Sequence, residues 1–241
     1  MEIIKKATPT APKLLLYGMS GVGKSTLASK LEKPLFIDLE GGINYLDIDR
    51  TETLASDDRG NAYDKFFEIL VEIGRNRDKY KDYKTIVIDS VDWLVRYATE
   101  KAAGIDMKHL DATLNRAGGG YGNGKQMLEN EIRTHLLPFL SRLNLLGYGI
   151  CFIAHTEQKV LLDGDGNKIE TITPKIDVNT MNVFVEWCDF VYYLKKRDDG
   201  KRYLLLDSDG VSLAKNRVGR TGEVNLESAD INNLLKPEEK K

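Results

Sequence analysis

The chain has 241 residues, 41% hydrophobic and 30% charged, a length and balance that fit one large α/β domain with a full core. Against 37 acids, 35 lysines and arginines leave a net charge of −2. That excludes a protein that coats duplex DNA by bulk charge, and it confines any nucleic-acid contact to a local patch or to loops gathered by oligomerisation.

The N-terminal stretch from Met1 to Lys6 lacks the apolar centre of a signal peptide. Leu14 to Tyr17 is a short apolar run, predicted as a strand. Gly18, Met19, Ser20, Gly21, Val22, Gly23, Lys24 and Ser25 follow, spelling GxxxxGKS, the phosphate-binding P-loop. Glycines let such a loop curl so that backbone N–H groups meet phosphates. Lys24 would set a cation against the β- and γ-phosphates, and Ser25 would offer a hydroxyl to Mg²⁺. Gly18, Ser20, Gly21, Val22, Gly23, Lys24, Ser25 and Thr26 are therefore the expected contacts of a nucleotide triphosphate. Leu27 and Leu31 share a face of a helix that runs from Ser25 and stops before Pro34.

Leu35 to Asp38 reads as a buried strand leading into Glu40, Gly41 and Gly42. Phe66, Phe67, Leu70, Val71 and Ile73 mark an amphipathic helix over about 63–75. Thr85 to Asp89 is an apolar strand closing on an acid, and helical sequence runs on from Val91 to about Ala103. A Gly-rich gap at 118–124 precedes a long predicted helix from Gln126 to Leu146. Gly149 to Ala154 is a further buried strand. Val160 to Ile169 reads as a hairpin, and Phe190–Leu194, Arg202–Leu206 and Val211–Lys215 as short strands of an antiparallel extension. The tail at 236–241 is expected to fray. Continuous apolar strands alternating with helices predict a mostly parallel sheet covered on both faces. Cys151 and Cys188 lie inside apolar runs, as buried small hydrophobes rather than a disulfide or metal pair. No run reaches the ~18 apolar residues of a membrane span, and a cytosolic setting is expected.

Asp89 ends its strand where a P-loop site needs a carboxylate for Mg²⁺, though a residue there also suits a cap for the helix that follows. The next residue is Ser90, not Glu, which disfavours the AAA+ group and moves the water-activating base elsewhere. Glu40 is the candidate, because strand ends converge on the γ-phosphate; a solvated turn carboxylate is the other reading of that position.

Phe36 to Glu40, Ile86 to Ser90 and Ala214 to Gly222 together resemble the RecA/DnaB class of P-loop ATPases, over roughly residues 12–226 of one domain spanning 1–241. The resemblance implies a RecA-like core, ATP with Mg²⁺, Glu40 as the water-polarising base, and Lys215 with Arg217 reaching the γ-phosphate of a neighbouring subunit. It places His155 where the class carries a γ-phosphate-sensing Gln. Compactness and the run Asp38-Leu39-Glu40-Gly41-Gly42 are similar to the phage-encoded, Sak-type RecA-like ATPases of single-strand annealing and recombination. That likeness implies single-stranded DNA as partner, self-association into a ring or filament, a single-strand-binding protein or other recombination partner, and residence in the host cytoplasm.

Two stretches match the DNA-facing loops of such assemblies. Residues 115–125 offer Arg116, Tyr121 and Lys125 for phosphates and stacking; residues 157–175 offer Lys159 and Lys175, with Lys168 among nearly cancelling charges. Ordinary solvated loops would carry the same residues. A helicase or translocase core, and a nucleotide-gated scaffold or loader with little hydrolysis, are the competing readings. A metabolic P-loop kinase is the weakest, for want of an Arg-rich lid.

Overall fold

A computed structural model describes residues 10–54, 61–103, 114, 117, 120–162 and 168–237. Strands β1 (Lys13–Gly18), β2 (Pro34–Asp38), β3 (Thr85–Asp89), β4 (Gly149–Leu162) and β6 (Phe190–Lys196) run parallel in the order β2-β3-β4-β1-β6. Strands β7 (Arg202–Leu205) and β8 (Glu223–Asn225) extend the sheet antiparallel beyond β6. The mostly parallel α/β sheet with an antiparallel C-terminal extension is thus as the sequence predicts.

Alternation along the strands builds both faces. Leu15 and Tyr17 of β1 point to one side, where α2 (Ala62–Arg75) brings Phe66, Leu70 and Ile73, and α4 (Val91–Ala103) brings Leu94 and Tyr97; the one-turn α3 (Arg77–Tyr80) between them buries none of its residues. Leu14 and Leu16 point to the other, against Leu27, Ala28 and Leu31 of the segment after the P-loop and Ile231 and Leu234 of the short helix at Ile231–Leu234. With both faces covered, the middle of every inner strand must be apolar, and β3 is buried at all of its positions, with Ile86, Val87 and Ile88 between Thr85 and Asp89. Cys151 and Cys188 are buried and free. No helix among the described residues is long and apolar enough to cross a membrane.

Several boundaries differ from the sequence reading. The P-loop helix α1 (Lys24–Ala28) is shorter; beyond it Lys30 and Leu31 donate to Leu27 and Ala28, so the last turn tightens without losing the Leu27–Leu31 face. The long helix begins earlier, as α5 (Asn123–Glu131), because Gly122 takes a positive φ that starts it. It widens into a π-turn (Ile132–Leu136) before α6 (Leu137–Leu145). Pro138 is the cause the sequence displays: it has no N–H and its ring crowds the carbonyl four residues back, which a wider turn relieves.

Strand β4 does not stop at Ala154. It runs on from Thr156 to Leu162, paired antiparallel with β5 (Lys168–Pro174), so 157–175 is largely a projecting β-ribbon rather than a loop. Val211 to Lys215 is not a strand. Ser212 bridges Ile172 and Lys215 bridges Val191, one contact to each of two neighbours, while the Tyr17 hydroxyl ties the segment down through the Leu213 carbonyl. Of the C-terminal tail, 238–241 lies outside the described residues; the Lys236 carbonyl accepts from Arg220.

Candidate functional site

Strand β1 delivers the P-loop to the carboxyl end of the sheet. Gly18 is required for packing, since a Cβ there would collide with the Leu194 carbonyl oxygen of β6. Gly21 and Gly23 take positive φ (74° and 101°), which L side chains adopt at a cost. Val22 turns its side chain into the core, and its carbonyl accepts from Arg202 Nε at 2.7 Å. Ser20, Gly21, Gly23, Lys24, Ser25 and Thr26 line a cleft of about 310 Å³ that also takes in Glu40, Asp89 and His155.

The Ser25 hydroxyl donates to Asp89 Oδ2 at 2.6 Å, across β1 and β3, which β4 separates. A hydroxyl and a carboxylate side by side are the hard oxygen donors that suit Mg²⁺, so the residues present fit that ion. Burial pushes the Asp89 carboxyl up to about 6; the Ser25 hydrogen bond opposes this, and Glu40 and Asp38 add to it. Lys24 is buried and donates to the carbonyls of Gly18 (3.1 Å) and Met19 (3.0 Å). Burial lowers its ammonium pKa, while Asp89, Asp92 and Glu40 act to hold the charge.

Glu40 owes its position to Asp38. The buried Asp38 carboxylate accepts from the backbone N–H of Glu40 (3.2 Å) and Gly41 (2.7 Å) and from the Thr53 hydroxyl (2.6 Å). Gly41 completes the turn at φ 82°. Leu39 buries its side chain and donates its N–H to the Asp89 carbonyl, anchoring this turn to β3. In Asp-x-Glu-Gly-Gly, then, the first acid shapes the turn and the second faces the cleft.

His155, on β4 opposite Gly18, meets Asp92 of α4 through Nδ1 (2.7 Å) and turns Nε2 toward Glu40 Oε1 at 3.8 Å. The Asp92 hydrogen bond raises the His155 pKa against the effect of burial. Burial alone would raise Asp92, but His155 outweighs it and holds the carboxyl low. Ser90, by contrast, is wholly buried and does not line the cleft. Asp92 and Arg202 escaped the sequence reading; no spacing signals either, since their partners lie 63 and 180 residues away.

The other expected residues fall elsewhere. Lys215 Nζ donates to the carbonyls of Val185 (2.7 Å) and Cys188 (2.9 Å) at the end of α7 (Val178–Trp187), so it is a helix clasp rather than a free cation. Arg217 is exposed and meets Asp189 at 3.4 Å. Asp189 bonds the Lys13 carbonyl at the start of β1, about 16 Å of strand from Gly18. Arg217 therefore cannot serve its own P-loop. Arg116 lies outside the described residues. Tyr121 is fully exposed, whereas Lys125 sits in α5, paired with Asp177 (3.2 Å). Lys159 pairs with Glu157 (2.6 Å) and donates to the Ile176 carbonyl, while Lys175 is exposed. His135 pairs with Glu131 on the exposed helix surface.

Residues 10–218 match the family described as AAA domain. The chain is also 25% identical over 183 residues to the SPbeta prophage-derived uncharacterized protein YorG of Bacillus subtilis strain 168. That match takes in 75% of this chain and 50% of YorG, so the chain spans about half the length of this curated relative. The family match goes against the sequence reading that Ser90 disfavours the AAA+ group; Ser90 itself is wholly buried.

Proposed function

The chain belongs to the AAA domain family of P-loop ATPases, and on that footing we propose that it is an oligomeric, Mg²⁺-dependent ATPase that binds single-stranded DNA and works in recombination or strand annealing, in the RecA-like manner its motifs resemble. The observation that carries the reading is the placement of Glu40. It faces the P-loop cleft from a turn fixed by Asp38, while position 90 is buried.

Glu40 takes the proton of the attacking water, with His155 Nε2 beside that carboxylate at 3.8 Å in the same cleft. Lys24 leaves the Gly18 and Met19 carbonyls for the β- and γ-phosphates. Ser25 and Asp89 would hold Mg²⁺, which when bound neutralises phosphate charge. Arg217 acts on the site of the next subunit; Lys215 supports the fold behind it.

ATP turnover measured with and without single-stranded DNA, beside oligomer mass with a non-hydrolysable analogue, tests this reading. Stimulation by DNA together with analogue-dependent assembly is the expected result. Absence of both would overturn it; analogue-dependent assembly with little hydrolysis and no stimulation by DNA would favour a nucleotide-gated scaffold, and directional unwinding of a forked duplex a translocase.

A further inference from the structure

At the amino end of the sheet, away from the P-loop, the chain from the last residue of α2 through α3 to the start of β3 reads Arg75-Asn76-Arg77-Asp78-Lys79-Tyr80-Lys81-Asp82-Tyr83-Lys84, five cations against two carboxylates in a protein of net charge −2. All five cations are exposed. Across much of the surface the cations are paired: Lys101 with Asp64, Lys125 with Asp177, Lys159 with Glu157, Lys195 and Arg197 with Glu223. Here Lys79 alone has an acidic partner, Glu72, and its ammonium also lies over the Tyr80 ring. Arg77 reaches only the Leu146 carbonyl, at 3.4 Å, and Arg75, Lys81 and Lys84 make no ion pair among the described residues.

These cations surround a hollow. Arg77, Lys81 and Lys84 outnumber the one carboxylate, Asp78, in the lining of a cavity of about 450 Å³ that also takes in Tyr83 and Tyr148, between the α2–β3 connection and the turn that leads into β4. Tyr83 is half-buried and held by Asp49 through its hydroxyl (3.0 Å), so its ring is fixed rather than swinging free. Unpaired cations around a fixed aromatic wall are what a single strand needs: phosphates for the charges, and an unstacked base for the ring. A duplex presents no free base to such a hollow.

We infer that this surface binds single-stranded nucleic acid, with phosphates on Arg77, Lys81 and Lys84 and a base against Tyr83. It rests on the proposed use of single-stranded DNA only for the identity of the strand, and it supplies the local patch that an acidic chain requires, where Lys125 and Lys159 are already paired.

The test is fluorescence anisotropy of a labelled oligothymidylate with the full chain, without nucleotide, over a range of salt. The double variant Lys81→Glu/Lys84→Glu should bind at least ~10-fold more weakly, and its log–log salt slope should be shallower by about 1.4, for two lost phosphate contacts. Tyr83→Leu should weaken binding without changing that slope. An unchanged thermal midpoint is the fold control, and because these side chains are exposed and unpaired, charge reversal should pass it. Wild-type affinity in the double variant, with loss confined to Tyr121→Ala, would overturn the inference and leave the proposed function standing. Binding of anionic lipid vesicles with none of oligothymidylate would overturn it as well. DNA-stimulated hydrolysis by an oligomer would then still test the function by itself.

Discussion

The two ends of the parallel sheet use charge in opposite ways. At the carboxyl end, Lys24, Asp89, Glu40, His155 and Asp92 are buried or half-buried and locked into contacts with one another or with P-loop carbonyls. At the amino end, Arg217 meets one carboxylate loosely, and Arg75, Lys81 and Lys84 meet none among the described residues. A network that must act on a reacting phosphate has its geometry set in advance, because reorganising charge during the reaction is costly. Charges meant for another molecule are left accessible. On this view the carboxyl end performs chemistry, and the amino end addresses neighbours.

The sharpest way to break that division is Arg217→Ala. If the amino end serves a neighbouring subunit, DNA-stimulated turnover should fall by roughly 10³-fold while nucleotide binding, read by equilibrium titration, is kept. Unchanged turnover would return Arg217 to a surface role.

A second effect belongs to the carboxyl end. Asp89 must be ionised to hold Mg²⁺, and burial places its pKa at about 6. Affinity for Mg-nucleotide should therefore be flat at alkaline pH and fall by up to about 10-fold per unit below pH 6. Asp89→Asn should weaken binding and flatten that profile, which a titration series across pH would read directly.

Within the amino end, Lys215 differs from Arg217 in being held closely, at 2.7 and 2.9 Å, by carbonyls of its own chain. Because its ammonium clasps the carbonyls that close α7, Lys215→Ala should cost about 2 kcal/mol, some 5 °C in the thermal midpoint of a chain this size. Lys215→Arg should recover part of that loss. Catalytic loss without destabilisation would mean that Lys215, like Arg217, serves a neighbour.

The smallest effect concerns the His155–Asp92 pair. The His155 pKa is raised in the folded state, so its contribution is fully present below the unfolded histidine value and is lost as pH rises through the folded one. Asp92 is held low, so its contribution is present above the ordinary aspartate value and is lost as pH falls through the folded one. His155→Gln should accordingly destabilise the protein more near pH 6 than near pH 9. Denaturant unfolding at both pH values would show it.

What the sequence displayed, and what it hid, follows the reach of each interaction. The P-loop, the acid closing β3 and the apolar strands were legible because each is a pattern in consecutive residues set by local geometry. The continuation of β4 past Ala154 was not. Pairing with β5 settles it, and polar residues such as Glu157, Gln158 and Lys159 look like loop until a partner strand is known. The role of Asp38 was hidden by the Glu40 beside it. Arg202, Asp92 and the clasping of Lys215 depend on partners brought close only by folding, so the motif around Arg217 was visible while the immobilisation of its neighbour was not.

The proposed chemistry depends on Glu40, not the residue after Asp89, to activate water in the P-loop cleft. ATP turnover by Glu40→Gln under saturating Mg-nucleotide, beside its equilibrium affinity for ATP, reads that role. The expected result is binding like that of the wild type with turnover lower by roughly 10²- to 10⁴-fold. Turnover equal to wild type, with ATP bound equally well, would contradict it.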